Sequence, residues 1–113
     1  MKKIKNLIFA NNVRRNILTL SHAAKSSHIG SSLSIVDILT VIYNQLINVK
    51  SKKSLENSKY KIILSKGHAC LALYCVLHEQ KILSKKILFS YGANQTLLMQ
   101  HASHKVPGVL FST

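Results

Sequence analysis

Residues 60–64 decide what kind of fold this chain can enter. Tyr60–Leu64 (YKIIL) is short, β-branched and apolar, which predicts a buried strand. No other stretch of the 113 residues has that signature, and the patterns on either side are helical. A strand carries N–H and C=O groups along both edges and cannot satisfy them by itself. Either further strands lie in less regular sequence, or the sheet is completed by chain beyond these residues. The order helix, helix, strand, helix puts the chain in the α/β class, as the start of a parallel sheet in a mostly helical span.

The helical patterns are distinct. Residues 3–25 carry Ile4, Leu7, Ile8, Ile17, Leu18 and Leu20 between charges, the spacing of an amphipathic helix. SSHIGSS at 26–32 breaks it, and Gly30 among serines predicts a loop. Ser34 and Asp37 have the spacing of a capping box opening a helix over about 34–48, with Ile38, Leu39, Ile42, Leu46 and Ile47 on one side. KSKKSLENSK at 50–59 predicts a polar surface loop. After residue 68, ACLALYCVLHEQ predicts a helix to about residue 80, and Leu71, Tyr74, Cys75 and Leu77 leave it little polar face. So apolar a helix beside an unpaired strand predicts an exposed hydrophobic face. Ser84 suits the cap of a short helix reaching Phe89, and Tyr91–Thr113 reads mainly as loop. There are no internal repeats, and the length suits one domain, 1–113.

Charge narrows the partners. Lys and Arg total 16 against three acids, Asp37, Glu56 and Glu79, for a formal net charge of +13. Such a chain is attracted to anions: nucleic acid, anionic lipid, phosphorylated metabolites or an acidic partner. Lysine as the default solubilising residue accounts for the excess equally well, because the basic residues are scattered and form no block. A small basic helical module that binds nucleic acid or an acidic partner is therefore one reading. Against nucleic acid, there is no recognised motif and no Trp, and the four Tyr and three Phe are not interleaved with basic pairs. Three acids in no cluster make a divalent-metal site implausible. Cys70 and Cys75, five apart on one helix, suit reduced, buried residues and no disulfide. The first residues, MKKIK, mimic a signal peptide, but LIFA is too short an apolar core. No segment approaches a membrane span, and a cytoplasmic location is expected.

Residues 62–70, IILSKGHAC, concentrate the chemistry. Glycine at a strand-to-helix turn permits positive φ and close approach of backbone to a ligand. The following helix offers unpaired N–H groups and the positive end of its dipole. His68 can donate to a phosphate oxygen and Lys66 adds charge, so Lys66, Gly67 and His68 suit a phosphate or diphosphate. By itself the motif is weak, since many such turns bind nothing.

Its neighbours add to it. Upstream stands SSHIGSSLS (26–34), a second His and Gly before a helix; downstream stand Gln100, His101 and then Pro107-Gly108-Val109. In that order the residues resemble the N-terminal end of the transketolase family, thiamine-diphosphate enzymes that move two-carbon ketol units between sugar phosphates. The family pattern is an Arg-containing first helix, a loop like S-G-H-P-G-G-S-L-S, a D-I-L, a strand into S-K-G-H-A, and a G-H-P before P-G-V-E and S-T-G. Arg14, Ser27–Ser34, Asp37–Leu39, Ile63–Ala69, His101, Pro107–Val109 and Ser112–Thr113 follow it in register, from about residue 10 to the end. The resemblance implies that His68 lies near the cofactor diphosphate, which agrees with the phosphate-binding chemistry read from Lys66, Gly67 and His68. It implies that His28 and His101 face the thiazolium and the sugar hydroxyls, where imidazole suits proton transfer near neutral pH. His22, His78 and His104 have no such support. Ile29, Ser31, Ala102 and Leu110 depart from the pattern, the last two loosening the substrate-side loop. The Gly-Asp-Gly motif that holds Mg²⁺, and the Glu that activates thiamine, have no counterpart in these residues. The expectation is one part of a larger or split enzyme, or an inactive truncated remnant. It would need a complementing chain and a homo- or hetero-oligomer, take a phosphosugar as substrate, and have no nucleic-acid or membrane partner.

Overall fold

The computed structural model describes residues 2–25, 29–47, 57, 62–64, 69–91 and 111–112. The elements are α1 (Lys2–Ala24), α2 (Ile29–Leu33), α3 (Val36–Val41) running into a π-helical turn (Ile42–Ile47), β1 (Ile63–Leu64), α4 (Cys70–Glu79), α5 (Lys85–Leu88) and β2 (Phe111–Ser112). Helix dominates, as expected of the span.

Helix α4 is the axis of the core. Every residue from Cys70 to Leu77 is buried, and α1, α2, α3 and α5 all pack on it. A helix apolar on all sides must be enclosed on all sides. Its end is built without glycine. Lys81 adopts φ 65°, its N–H donates to His78 O at 2.9 Å, and Ile82 N–H donates to Leu77 O at 2.9 Å. These two bonds form a Schellman motif with lysine in the left-handed position. The expected Ser84 cap is present: its Oγ accepts from Ile87 N–H at 3.2 Å and opens α5.

Helix α1 forms where expected, but its inward stripe is Ala10, Val13, Ile17 and Leu20. Ile4, Leu7, Ile8 and Leu18, which the apolar spacing also counted, are 60%, 59%, 56% and 51% exposed. A helix lying on one neighbouring layer covers a single stripe, and these four fall opposite it. Ile38, Val41 and Leu46 form a second outward apolar set on α3 and the π-helical turn. Among the described residues, the exposed large hydrophobics thus lie on α1, on α3 with its π-helical turn, and at Phe89 after α5.

Three local expectations change. The SSHIGSS loop is partly helical, since Ile29–Leu33 forms α2 with Gly30 inside it. A Cβ at Gly30 would meet nothing within 4 Å, so the position has no steric need for glycine. The capping box of Ser34 and Asp37 does not form. The α3 N-cap is Ile35, with no side-chain cap bond, while Ser34 Oγ donates to Ser31 O at 2.8 Å. Asp37 instead meets Arg14 at 2.8 Å, because tertiary packing brings a cation to it. Finally, the strand has a partner. Ile63 and Leu64 pair in parallel with Phe111 and Ser112, within the stretch read as loop. Two residues are too few to show an alternation, which is why β2 left no sequence signal.

Candidate functional site

The strand-to-helix handover at IILSKGHAC is present in outline. Strand β1 ends at Leu64 and α4 begins after Ala69, an N-cap with φ −99° and ψ 20° and no side-chain cap bond. Alanine has no atom with which to cap the helix, so nothing on the N-cap side chain competes for its first N–H groups. Lys66, Gly67 and His68 lie between these elements and outside the described residues. So do His28, between α1 and α2, and His101. The structure describes the elements on both sides of two of these segments, and all five side chains lie outside the described residues.

The corner that leads to His28 can be described. Helix α1 ends at Ala24, and Lys25 just beyond it adopts φ 53°. Leu18, Ser21, His22, Lys25 and Ile29 line a cavity of about 570 Å³ there. His22, given no role by the sequence, is one of its walls. Ser21 Oγ in this wall and Ser32 Oγ on α2 are buried with no hydrogen-bond partner among the described residues. Orphaned hydroxyls of this kind invite a ligand or water that can use them. The residues between β1 and α4, Ser65, Lys66, Gly67 and His68, supply one lysine cation, N–H and O–H donors and no acid. That chemistry fits the diphosphate of thiamine diphosphate.

Inside the core, burial silences Cys70, Tyr74 and Cys75 of α4. It pushes the Cys70 thiol up to about 11, with hydrogen bonding to Tyr74 opposing the shift. Burial also drives Cys75 and Tyr74 well above their ordinary ranges. Tyr74 stands edge-on to Tyr91, ring centroids 6.2 Å apart. Cys70 and Cys75 are not joined in a disulfide. Buried, protonated thiols are poor nucleophiles, so the pair is structural. His78, on the same helix, makes a 2.9 Å hydrogen bond from Nδ1 to Leu83 O and braces the helix end.

At the opposite end of α4, an amide cluster that sequence reasoning missed joins three elements. Asn44 Nδ2 donates to Asn6 Oδ1 at 3.1 Å, Gln80 Nε2 donates to Asn44 Oδ1, and Asn12 Nδ2 donates to Glu79 Oε2 at 3.2 Å. Beside it opens a second cavity of about 640 Å³. Scattered Asn and Gln carry no spacing signal, so only packing reveals them. Among the described residues no group of three His, Cys, Asp or Glu could hold a metal ion, and no helix is long and apolar enough to cross a membrane.

Comparison with known proteins agrees with the resemblance. Residues 6–84 match the family described as transketolase, thiamine diphosphate binding domain. A subunit of the apulose-4-phosphate transketolase from Phocaeicola vulgatus is 30% identical over 100 residues, covering 88% of this chain and 36% of that protein. The corresponding subunit from Actinobacillus succinogenes is 33% identical over 103 residues, 89% of this chain and 37% of that protein. A 6-deoxy-6-sulfo-D-fructose transketolase subunit from a Clostridium species is 31% identical over 94 residues, 81% of this chain and 34% of that protein. The chain therefore spans little more than a third of the length of these relatives. No solved structure matches it significantly. With the strand-to-helix handover in place and more than two thirds of its length inside the family match, this chain belongs to the transketolase family and carries part of its thiamine diphosphate binding domain.

Proposed function

We propose that residues 1–113 are the opening part of a transketolase-type thiamine-diphosphate domain. With a complementing chain, they transfer two-carbon ketol units between phosphosugars. The observation that carries this reading is the handover from β1 to α4. The acid-free segment Ser65–His68 precedes a helix whose N-cap side chain makes no cap bond, within residues that match the family. Lys66 and His68 would hold the diphosphate by charge and by N–H donation, and Gly67 would let the backbone close on it. His28 and His101 would orient the sugar hydroxyls and pass protons at their ring nitrogens. Thiamine diphosphate, when bound, supplies the nucleophilic carbon that accepts the ketol unit. Its Mg²⁺ would be held by residues other than these. Three relatives named as transketolase subunits support a second chain.

The test is cofactor binding in the reconstituted complex, with a polypeptide supplying the remainder of the site. One charge-assisted hydrogen bond contributes on the order of 1–3 kcal/mol, so His68→Ala should raise the thiamine diphosphate Kd by about tenfold or more. His78→Ala, which loses only the brace to Leu83, should leave it unchanged. Gly67→Val should bind more weakly still, by blocking close approach of the turn. Equal affinities for His68→Ala and His78→Ala would reduce the handover to a plain turn.

A further inference from the structure

We propose that the first turns of α1, with the cavity beside them, form a docking surface for an acidic amphipathic helix of the complementing chain. Two separate features meet there. Ile4, Leu7 and Ile8 make a contiguous apolar step on the outward face of α1, each more than half exposed. Ile8 is also a wall of the 640 Å³ cavity, whose rim carries Lys2, Lys5 and Lys81. The step offers area to bury, and the rim offers cations to carboxylates. Glu79, the acid among the cavity residues, is already bonded by Asn12. On the inner side, Gln80 is 2% exposed and its Oε1 has no partner among the described residues.

Charge selects the occupant. A second copy would bring Lys2, Lys3 and Lys5 against their own counterparts and double an uncompensated charge of +13. An acidic helix, with apolar residues three and four apart and Glu or Asp between, matches step and rim together. The surface lies at the C-terminal end of α4. The inference rests on the reading that a complementing chain exists.

The experiment needs no cofactor, so its failure and that of the enzymatic reading are separable. Fluorescein-labelled synthetic helices, with Leu at three- and four-residue spacing and Glu between, are titrated with the whole chain by anisotropy. The same helices with Lys in place of Glu serve as controls. The Glu helix should bind about tenfold or more tighter than its Lys counterpart. Ile4→Ser with Leu7→Ser, which touches exposed positions and spares the core, should weaken the Glu helix by about tenfold. Lys2→Gln with Lys5→Gln and Lys81→Gln should weaken it and flatten its salt dependence. Ile38→Ser with Val41→Ser, on the other apolar face, should change nothing. The proposal falls if only the lysine substitutions matter, since bulk charge then suffices. It falls equally if Ile4 and Leu7 instead govern self-association in sedimentation or binding to phosphatidylserine vesicles.

Discussion

Lys81 shows what a single residue costs this fold. It closes α4 with φ 65°, a conformation that opposes its Cβ to the neighbouring carbonyl. Glycine meets no such conflict, so Lys81→Gly should raise stability by about 1 kcal/mol, read as a higher urea midpoint. Three residues on, Ser84 has the opposite sign. Its Oγ satisfies Ile87 N–H, and Ser84→Ala should lower stability by about 1 kcal/mol in the same titration. The sequence announced Ser84, because serine before a helical turn is a known cap signal. It hid Lys81, because lysine carries no turn signature and its φ is imposed by the motif that closes the helix.

At the scale of elements, α4 and α1 respond differently to the same change. Leu77→Ala removes a side chain with no exposure from the central helix and should cost about 3 kcal/mol. Leu18→Ala on the outward face of α1 should stay within about 0.5 kcal/mol, although the sequence marks both as apolar helix positions. Helix α4 also makes the fold sensitive to alkali. Cys70 ionises near 9.0 when unperturbed and at about 11 when folded, because burial disfavours the thiolate. The folded form holds that proton longer than the unfolded form. Its contribution is therefore complete below pH 9.0 and is lost as pH rises towards about 11. Urea midpoints should be level in that respect up to about pH 9 and fall above it, with a shallower fall in Cys70→Ala. Native thiols should likewise react slowly with a disulfide reagent near pH 8 and quickly in urea.

For the whole molecule, the family match and the length of its relatives set the expectation. A preparation of these 113 residues by itself, given thiamine diphosphate, Mg²⁺ and a ketose donor, should consume no donor above a protein-free control. Adding a polypeptide that supplies the rest of the site should restore consumption. Turnover by the isolated span would overturn the division of labour proposed above.

By itself the sequence determined α1, α4, the capped α5, the strand at Ile63–Leu64 and the family. Each rests on information local in the chain: periodicity, a capping serine, a glycine between strand and helix, and motifs in order. Tertiary structure decided everything that depends on which surfaces meet. Packing made Ala10, Val13 and Ile17 core and left Ile4, Leu7 and Ile8 outside, since a helix has one inward stripe and hydrophobicity alone does not choose between two. Packing also took Asp37 from its cap to Arg14 and joined Asn6, Asn44 and Gln80 from three distant segments. And it paired Ile63 with Phe111 across 48 positions, a contact whose energy comes from closing a sheet and which therefore leaves no trace in either short stretch read separately.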